Sequence, residues 1–358
     1  MPKRSPPQKS ALIFSKLVLD LINFIIYKTK EKKFTVGFFC ENKKILPYIS
    51  DFIIGKKKNL VVISFEKLIP IHNKKENIYY LVLKTKFFQE LFFLTLKLKY
   101  LYSSTPDLDN SYFKKSKFSK CKYIYLQHSP VSLTMVYDTD AFKNFDAIQA
   151  INKNQFLEIH GMNKKFKKNI KAFKSVYKFM KNFNIHKIEK KVDVLIAPTW
   201  NSSFYRLNLH INLVKLLNKS HLTYHFRPHY MSFTKNEISK NHFLRNKIIL
   251  NLDDNLNFSF YNNLITDWSG IFLEFAYHNK KKAYLINTPK KVRNENYADF
   301  GIIPIEISSR KILAKEFATN EIELLVNELS KDTSNDDEDE KQINLFFQDN
   351  FFSIAEKS

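Results

Sequence analysis

Apolar and polar residues alternate along this chain with two different periods. Short continuous apolar runs are typical of buried parallel strands, and longer segments with apolar residues every three or four positions are typical of helices. In the first half this pattern predicts strands at Phe34–Cys40, Leu60–Phe65, Ile78–Leu83, Tyr123–Leu126 and Ala147–Ile151, and helices at Lys43–Ile54 and Phe87–Leu101. Such alternation predicts a doubly wound α/β domain.

The second half continues the same alternation. It predicts strands at Val192–Ala197, His221–Phe226, Lys247–Asn251, Leu264–Thr266, Ala283–Ile286 and Gly301–Ile307, and helices at Phe204–Leu217, Asn236–Arg245, Ile271–Tyr277 and Glu321–Leu329. Between Thr266 and Ile271 lies the polar turn Asp267-Trp268-Ser269-Gly270. Ser269 is the predicted N-cap of the following helix, whose first amides would point outward and attract phosphate. An ordinary strand–helix–strand unit without a ligand is the alternative.

The N-terminal segment is predicted to be an amphipathic helix. Ala11–Ile26 is apolar except for Lys16, Asp20 and Asn23, which fall on one narrow side of a helix. The segment is shorter than the roughly 20 residues of a membrane span, and it lacks the small-residue cleavage site of a signal peptide. Two interpretations stay open: a helix packed on the first domain, or a helix lying in the plane of a membrane surface between flanking lysines.

A lysine-rich segment separates the two halves. Residues 164–191 hold eleven lysines with aromatic residues at intervals of three and four, which predicts a basic amphipathic helix or helix pair facing solvent or an anionic surface. After the second half, Ser330–Lys341 is predicted to be an acidic linker and Ile343–Ile354 a helix folded back on the first domain. The predicted organisation is 1–33 amphipathic segment, 34–163 first Rossmann-like domain, 164–191 connection, 192–330 second Rossmann-like domain and 331–358 linker with apolar tail.

Composition narrows the class of partner. The chain has 358 residues, 44% of them hydrophobic, which leaves room for two domains with buried cores. Its net charge of +23 indicates an anionic partner such as nucleic acid, a phosphate-rich substrate or a membrane surface. No nucleic-acid-binding module accompanies the charge, so no specific nucleic acid is predicted. The absence of GxGxxG and GxxxxGK[ST] motifs opposes a dinucleotide-dependent oxidoreductase or a P-loop NTPase. Cys40 and Cys121 form no disulfide framework, which fits a reducing compartment.

Polar clusters follow three of the predicted strands. They are Gln127-His128-Ser129, Arg227-Pro228-His229 and Thr266-Asp267-Trp268-Ser269. The carboxyl ends of parallel strands face the ligand crevice of open α/β sheets. Histidine, arginine and a helix N-terminus in a basic crevice suit a diphosphate.

These clusters resemble the CDP-glycerol glycerophosphotransferase-like proteins of teichoic-acid and capsule synthesis. The resemblance covers roughly Tyr123 to Pro289. Its motifs are His128 at the family's His-Gly pair (with Ser129 in place of the glycine), Ala197-Pro198-Thr199-Trp200 at APTW, Arg227-Pro228-His229 at RPHP (with Tyr230 in place of the proline), Thr266–Gly270 at TD[YW]S[SG], and Phe275-Ala276-Tyr277 at FAY.

The resemblance implies a GT-B architecture and a reaction. A polyol phosphate, such as glycerol phosphate, would pass from a CDP-polyol donor to a hydroxyl of a lipid-linked polyol-phosphate or glycan acceptor. The protein would lie in the cytoplasm, bound peripherally to the anionic inner face of the cell membrane. No cofactor and no metal site are predicted, and Mg²⁺ on the diphosphate stays open.

The resemblance also implies roles for particular residues. His128 would be the general base, and His229 with Arg227 would hold the diphosphate and stabilise the departing CMP. The other implied substrate-binding residues are Thr199, Thr266, Asp267 (which orients the turn), Ser269, Gly270 and Glu274 (for ribose hydroxyls).

Two other functions stay open at this stage. One is a GT-B glycosyltransferase of capsule or lipopolysaccharide synthesis that uses a nucleotide sugar in the same crevice. The other is a non-catalytic basic protein that binds membrane or RNA through residues 164–191.

Overall fold

Two parallel sheets form the framework of the protein. The computed structural model describes residues 6–41, 43, 46, 52–53, 59–68, 78–110, 112–177, 191–200, 203–253, 256–331 and 337–353. Most of the helix predicted at Lys43–Ile54, residues 178–190 of the basic segment and residues 332–336 of the acidic linker lie outside the described residues.

The first domain contains a seven-stranded sheet. Its strands are β1 (Val36–Cys40), β2 (Leu60–Ser64), β3 (Ile78–Val82), β4 (Tyr100–Ser103), β5 (Lys122–Tyr125), β6 (Ala147–Ala150) and β7 (Lys171–Lys174), in the order β3-β2-β1-β4-β5-β6-β7. All its pairings are parallel. The helices of this part are α1 (Pro6–Lys30), α2 (Lys86–Thr95) and α3 (Lys153–Phe166). Every residue of β1 and β2 is buried, as expected for parallel strands covered on both faces.

The second domain contains a five-stranded parallel sheet. Its strands are β8 (Val192–Ile196), β9 (Tyr224–Phe226), β10 (Tyr261–Thr266), β11 (Ala283–Ile286) and β12 (Ala314–Phe317), in the order β12-β11-β10-β8-β9. The helices are α4 (Ser203–Arg206), α5 (Leu209–Lys219), α6 (Tyr230–Thr234), α7 (Lys240–Arg245), α8 (Ile271–Asn279), α9 (Ile305–Ser308), α10 (Arg310–Leu313), α11 (Ile322–Lys331) and α12 (Asp337–Asn350).

One central strand replaces the end of a predicted helix. The prediction of a helix over Phe87–Leu101 is wrong beyond Thr95, because α2 ends there and β4 follows at Tyr100–Ser103, between β1 and β5. Leu98 and Leu101 continue the helical spacing, but both pack their methyl groups against Gly37 of β1. Pairing between strands therefore overrides the local periodicity.

The basic connecting segment is also different from its prediction. The helical interpretation of residues 164–191 is wrong in their described part beyond α3, which ends at Phe166 before Lys167 in the left-handed region (φ 51°). Lys171–Lys174 then form β7, the edge strand that pairs with β6. The four residues Lys171-Ala172-Phe173-Lys174 are too few to distinguish a helical period from a strand period, so pairing with β6 decides. The first sheet therefore continues to Lys174.

Three further predictions in the second domain are corrected. The strand predicted at Gly301–Ile307 is wrong, because Ile305–Ser308 is helical and the last strand is β12. The strand predicted at Lys247–Asn251 is reduced to one bridge between Phe226 and Leu250. The helix predicted at Phe204–Leu217 is divided into α4 and α5 at Asn208, which has a positive φ of 54°.

The C-terminal helix packs mainly on the second domain. Residues predicted as acidic linker form the first turn of α12, where carboxylates interact favourably with the helix dipole. Phe347 contacts Tyr277 of α8, with ring centroids 5.1 Å apart. In the described part of the C-terminal segment, Phe351 bridges to Asn152 of the first domain and Phe352 packs against Phe156. The prediction that the tail helix folds on the first domain is therefore wrong for its main contacts.

Helix α1 attaches to the first domain through its polar side. The buried Asp20 carboxylate accepts hydrogen bonds from the backbone amides of Lys84 and Thr85, at 2.6 to 3.0 Å. Asn23 donates to the Val82 carbonyl at 3.1 Å, and Tyr27 is fully buried. The opposite side exposes large apolar side chains, which are Ile13, Phe14, Val18, Leu19, Leu21, Ile22, Ile25 and Ile26. Within the described ranges, no helix has the length and hydropathy needed to cross a membrane.

Candidate active site

The polar clusters predicted from the sequence do lie at the carboxyl ends of strands. His128 follows β5 of the first sheet, and Thr199, His229 and Ser269 follow β8, β9 and β10 of the second. A fifth segment, 287–291, follows β11. The order of the second sheet places the ends of β11, β10 and β8 side by side. These strand ends form the ligand edge of a parallel sheet.

His128 is held between two tyrosine hydroxyls. Tyr125 Oη lies 3.2 Å from Nδ1 and Tyr137 Oη lies 3.4 Å from Nε2. One nitrogen of a neutral imidazole donates and the other accepts, so the two contacts fix the plane of the ring. Burial lowers the pKa of His128 to about 4, although a backbone hydrogen bond at Ser104 acts in the opposite direction. The imidazole is therefore neutral at pH 7, as a general base must be.

The loop after His128 touches the start of α8 in the second domain. A Cβ atom added to Gly270 would lie 2.5 Å from Val131 Cγ1 and 3.1 Å from Ser129 Oγ. A side chain at this position would force Val131 to move, so glycine permits the close approach. The candidate base and the predicted phosphate-binding turn therefore belong to one site between the domains.

Buried hydrogen bonds shape the turn after β10. Thr266 Oγ1 donates to the Ala197 carbonyl at 2.6 Å. Asp267 Oδ1 accepts from the Thr199 amide at 2.8 Å, and Trp268 Nε1 donates to the Thr288 carbonyl at 2.7 Å. Thr266 and Asp267 are fully buried. Their polar groups therefore link the ends of β8, β10 and β11 beneath the turn.

Ser269 is placed differently from its predicted capping role. The N-cap of α8 is Gly270, and Ser269 stands one residue earlier. Ser269 Oγ accepts from the Ile271 amide only at the long distance of 3.5 Å. Ser269 and Gly270 are only partly buried, unlike Thr266 and Asp267. The first amides of α8 thus start at the surface of the site, as predicted for an anion-binding helix terminus.

Tyr177 connects the two sides of the site. Its hydroxyl lies 2.6 Å from Glu274 Oε1 on α8 and 3.4 Å from the His128 carbonyl oxygen. Burial raises the pKa of Glu274 to about 7, while the Tyr177 hydrogen bond and the charge of Arg227 oppose the shift. When Glu274 is ionised, the Tyr177 hydroxyl donates its hydrogen bond to the Glu274 carboxylate. When Glu274 is protonated, it can donate to the Tyr177 oxygen, and the Tyr177 hydroxyl can then donate to the backbone carbonyl of His128.

Arg227 and His229 follow β9 and help to build their own loop. Arg227 Nη1 donates to Asn251 Oδ1 at 3.1 Å and to the Asp253 carbonyl at 2.8 Å. His229 caps α6, because its Nδ1 accepts from the Met231 amide at 3.2 Å. Since Nδ1 is the acceptor, the proton of the neutral ring is on Nε2. His229 can therefore offer an N–H donor, and Trp200 lies nearby with ring centroids 6.3 Å apart.

Lys291 was not predicted, although it lies in the same site. Its Nζ donates to Thr199 Oγ1 at 3.0 Å and stands 4.5 Å from the centroid of the Trp200 ring. Lys291 follows β11 by five residues. The rule that ligands meet the carboxyl ends of parallel strands, applied to the predicted strand Ala283–Ile286, indicates this segment as well.

Two buried carboxyl groups position the loop that carries His128. The Ser132 amide donates to Glu306 of the second domain at 3.0 Å, and the Ser132 hydroxyl donates to Glu158 of α3 at 2.5 Å. Burial raises the pKa of Glu306, and the neighbouring Glu158 raises it further. Because the pKa values of Glu306 and Glu158 are raised, these carboxyl groups retain protons near neutral pH, which limits the repulsion between them. The loop is thereby tied to both domains.

The described histidine and acidic side chains do not gather into a metal-binding group. In the described part of the chain, no three His, Cys, Asp or Glu side chains are grouped so as to hold a metal ion. His225 Nδ1 instead contacts Tyr261 Oη at 3.0 Å. Asp138 pairs with Arg293 of the second domain at 2.5 Å. Neither the expectation of no cofactor nor the open case of Mg²⁺ on a diphosphate is tested by these contacts.

Comparisons with known proteins identify the fold. No family model and no curated protein sequence matches the chain. Among solved structures, the chain is similar to the wall teichoic acid polymerase TagF, in a histidine-to-asparagine variant soaked with CDPG. The two share 13% sequence identity over 95% of this chain and 91% of that chain, with a TM-score of 0.52. The chain has a GT-B fold. The predicted architecture is thus confirmed, together with the resemblance at the level of the fold.

Other solved structures are less similar. A trehalose-6-phosphate synthase shares 7% identity over 88% of this chain and 96% of its own, with a TM-score of 0.42. MurG of Acinetobacter baumannii shares 8% identity over 88% of this chain and 99% of its own, with a TM-score of 0.39. With TM-scores below 0.5, neither structure adds an argument about this chain.

Proposed function

We propose that the protein transfers a polyol phosphate, with glycerol phosphate as the first candidate, from a CDP-activated donor to a hydroxyl of a membrane-linked acceptor. The observation that carries the proposal is the contact between the loop of the neutral His128 and the helix start at Ser269-Gly270. A general base and an anion-binding helix terminus then meet in one site between two GT-B domains. The motif resemblance and the likeness to TagF, whose structure was soaked with CDPG, support the choice of a cytidine nucleotide.

The reaction that fits these groups is a displacement at the outer phosphorus of the diphosphate. The acceptor oxygen forms a bond to that phosphorus, the anhydride bond to CMP breaks, and the acceptor proton passes to His128. The N–H of His229, the charge of Arg227 and the first amides of α8 stabilise the negative charge on the transferred phosphate and on CMP. Glu274, beside Tyr177 and Arg227, would accept hydrogen bonds from ribose hydroxyls when ionised.

Buried members of the predicted site have a positioning role in this proposal. The hydroxyl of Thr266 and the carboxylate of Asp267 are used within the protein, at Ala197 and Thr199. We therefore assign Thr266, Asp267 and the Thr199 amide to the shape of the turn. The groups that would contact the diphosphate directly are the Ser269 hydroxyl, the Gly270 amide and the partly exposed side chains of Arg227 and His229.

Binding of free nucleotides tests this donor assignment. We expect CDP and CMP to bind more tightly than UDP or ADP in calorimetric titrations. Ser269→Ala should weaken CDP binding by about five- to tenfold, the value of one hydrogen bond of roughly 1–1.5 kcal/mol to a phosphate. Ser308→Ala, an exposed serine of the same domain, is the control and should bind CDP as the unchanged protein does.

Other outcomes of the titrations favour the other functions. Preferential binding of UDP or of a nucleotide sugar would replace the CDP-polyol by a sugar donor, and the protein would be a GT-B glycosyltransferase. If no nucleotide bound at millimolar concentration, the non-catalytic function in membrane or RNA binding would be favoured.

We further propose that α1 attaches the protein to the anionic inner face of the cell membrane. Its exposed side carries eight large apolar residues, whereas its polar residues Asp20 and Asn23 bind the first domain. Lys28 and Lys30 follow in its last turn. An amphipathic helix of this kind lies in the plane of the interface, with its apolar side among the acyl chains and lysines near the head groups.

Flotation with vesicles that contain anionic phospholipid tests the attachment. Phe14→Glu with Ile25→Glu should reduce vesicle binding at least about tenfold, because each large apolar side chain contributes on the order of 1.5–3 kcal/mol when buried. Leu244→Glu is a matched control, since Leu244 is 69% exposed, as is Phe14, but lies on α7 of the second domain. Equal flotation of all three proteins would contradict the assignment. Deleting the first 33 residues is unsuitable, because the deletion removes the buried Asp20 and Tyr27.

A further inference from the structure

Lys291 is a partly buried cation that contacts no carboxylate among the residues described by the structure. Its ammonium group has one hydrogen bond, to the neutral Thr199 hydroxyl, and it stands over the Trp200 ring. Among the residues that the structure describes, it forms no ion pair. Removing a charge from water is unfavourable unless an opposite charge compensates it. The neighbouring Lys290, by contrast, is exposed.

Two of the carboxylates around Lys291, Asp267 and Glu306, accept hydrogen bonds from other groups. Burial lowers the pKa of Lys291 to about 8, the charge of Arg293 lowers it further, and Asp267, Glu237 and Glu306 raise it. Asp267 accepts hydrogen bonds from the Thr199 amide and the Thr288 hydroxyl. Glu306 accepts from the Ser132 amide. None of these carboxylates is in contact with the ammonium group.

The path of the Lys291 side chain points to a ligand rather than to a support of the fold. Lys291 follows β11, while its hydrogen-bond partner Thr199 follows β8, and β10 lies between these strands. The side chain therefore bridges the strand ends on either side of the Asp267–Gly270 turn. A lysine that only supported the fold would be expected to pair with a carboxylate. This one instead adds a positive charge beside the turn.

We propose that Lys291 binds a phosphate oxygen of the donor's diphosphate, with the Trp200 ring and the Thr199 hydroxyl holding the ammonium group in place. The inference rests on the proposed function for the identity of the donor, but not for the chemistry of the site, which fits any organic or inorganic diphosphate. A phosphate oxygen supplies the negative charge that the protein does not place in contact with the ammonium group. Arg227 already donates hydrogen bonds to Asn251 and Asp253 of its own loop. Lys291 would therefore add positive charge that helps to neutralise the diphosphate.

Binding of inorganic pyrophosphate and of CDP tests the inference. At pH 7 we expect Lys291→Gln to weaken both ligands at least tenfold and Lys290→Gln to change neither by more than twofold. Binding an anion should raise the pKa of Lys291, so the unchanged protein should take up protons on binding near pH 8.5. This uptake is measured as a dependence of the calorimetric enthalpy on the ionisation enthalpy of the buffer. Lys291→Arg, which is always charged, should retain binding and lose the proton uptake.

The outcomes separate this inference from the proposed function. Unchanged affinity in Lys291→Gln, with a melting temperature like that of the unchanged protein, would overturn the inference even if a CDP-polyol is turned over. If another nucleoside diphosphate bound in a Lys291-dependent way and no CDP-alcohol were used, the inference would stand and the proposed function would fail. Pyrophosphate binding with the same proton uptake in Lys291→Gln would also overturn it.

Discussion

Replacing His128 by alanine is expected to lower the rate of transfer by about 10²–10⁴-fold, the usual contribution of a positioned general base. Donor binding should stay within about threefold, because His128 takes the acceptor proton and the diphosphate is held by the second domain. The measurement is single-turnover release of CMP from a CDP-polyol with acceptor present. His160→Ala is the matched control, since His160 is an exposed histidine on α3 of the same domain.

The pH dependence of the unchanged protein gives a second test of His128. A base must be unprotonated to act, and burial lowers the pKa of His128 to about 4 in the free protein. The decline of kcat/KM caused by His128 should therefore appear only as the pH approaches 4, separate from the decline near pH 7 that protonation of Glu274 causes in donor binding. The acid limb of kcat should lie at higher pH, because the charge of a bound diphosphate favours the protonated imidazole. In Glu274→Gln, which removes the decline near pH 7, loss of kcat/KM near the ordinary histidine pKa of about 6.5 would contradict burial as the effect that controls the pKa of His128.

Replacing Arg310 by alanine is expected to reduce the free energy of unfolding by about 2–3 kcal/mol, because the buried guanidinium loses its hydrogen bonds and its packing on Trp268, whereas its partner Glu316 is exposed to solvent. Arg310 is 3% exposed and donates to Glu316 of β12 at 2.9 Å and to Asn287 after β11 at 2.6 Å. Its guanidinium carbon also lies 4.0 Å from the centroid of the Trp268 ring. Arg310 thus joins the carboxyl ends of β12 and β11 to the turn after β10, directly beneath the candidate site.

Thermal unfolding followed by circular dichroism measures the effect of Arg310→Ala. The adjacent Lys311 is exposed, and Lys311→Ala should change the free energy of unfolding by less than about 0.5 kcal/mol, the usual limit for a surface substitution. Arg310→Met, which keeps the packing on Trp268 but leaves Glu316 without its partner, should fall between the two. Equal melting temperatures for Arg310→Ala and Lys311→Ala would show that the buried network does not stabilise the second domain.

The sequence predicted most strands because their apolar runs are buried on both sides. Ala283–Ile286 is predicted with its observed bounds, and Val192–Ala197 differs by one residue. Strands β4 and β7 could not be predicted in the same way. Tyr100–Ser103 and Lys171–Lys174 are partly exposed, so their short patterns also suit a helix. Only pairing with β1 and β6, which are distant in the sequence, selects the strand.

The candidate site was predicted only where a motif or a strand end indicated it. The clusters at His128, His229 and Ser269 follow predicted strands, and the structure brings the first and third together at Ser129 and Gly270. Their catalytic and binding roles stay predictions. Tyr125, Tyr137 and Tyr177 could not be predicted, because their hydroxyls reach the site only through packing between segments. Lys291 lies five residues beyond the end of its strand, and no motif indicates it.

Release of CMP from CDP-glycerol tests the proposed transfer most directly. The protein is incubated with radiolabelled CDP-glycerol and membranes that carry lipid-linked polyol-phosphate acceptor, and CMP and labelled lipid product are measured together. We expect equal amounts of CMP and labelled product, dependent on the acceptor, and a loss of at least about 100-fold in His128→Ala. Turnover of a UDP- or CMP-sugar under the same conditions, with none of CDP-glycerol or any other CDP-alcohol, would contradict the proposal.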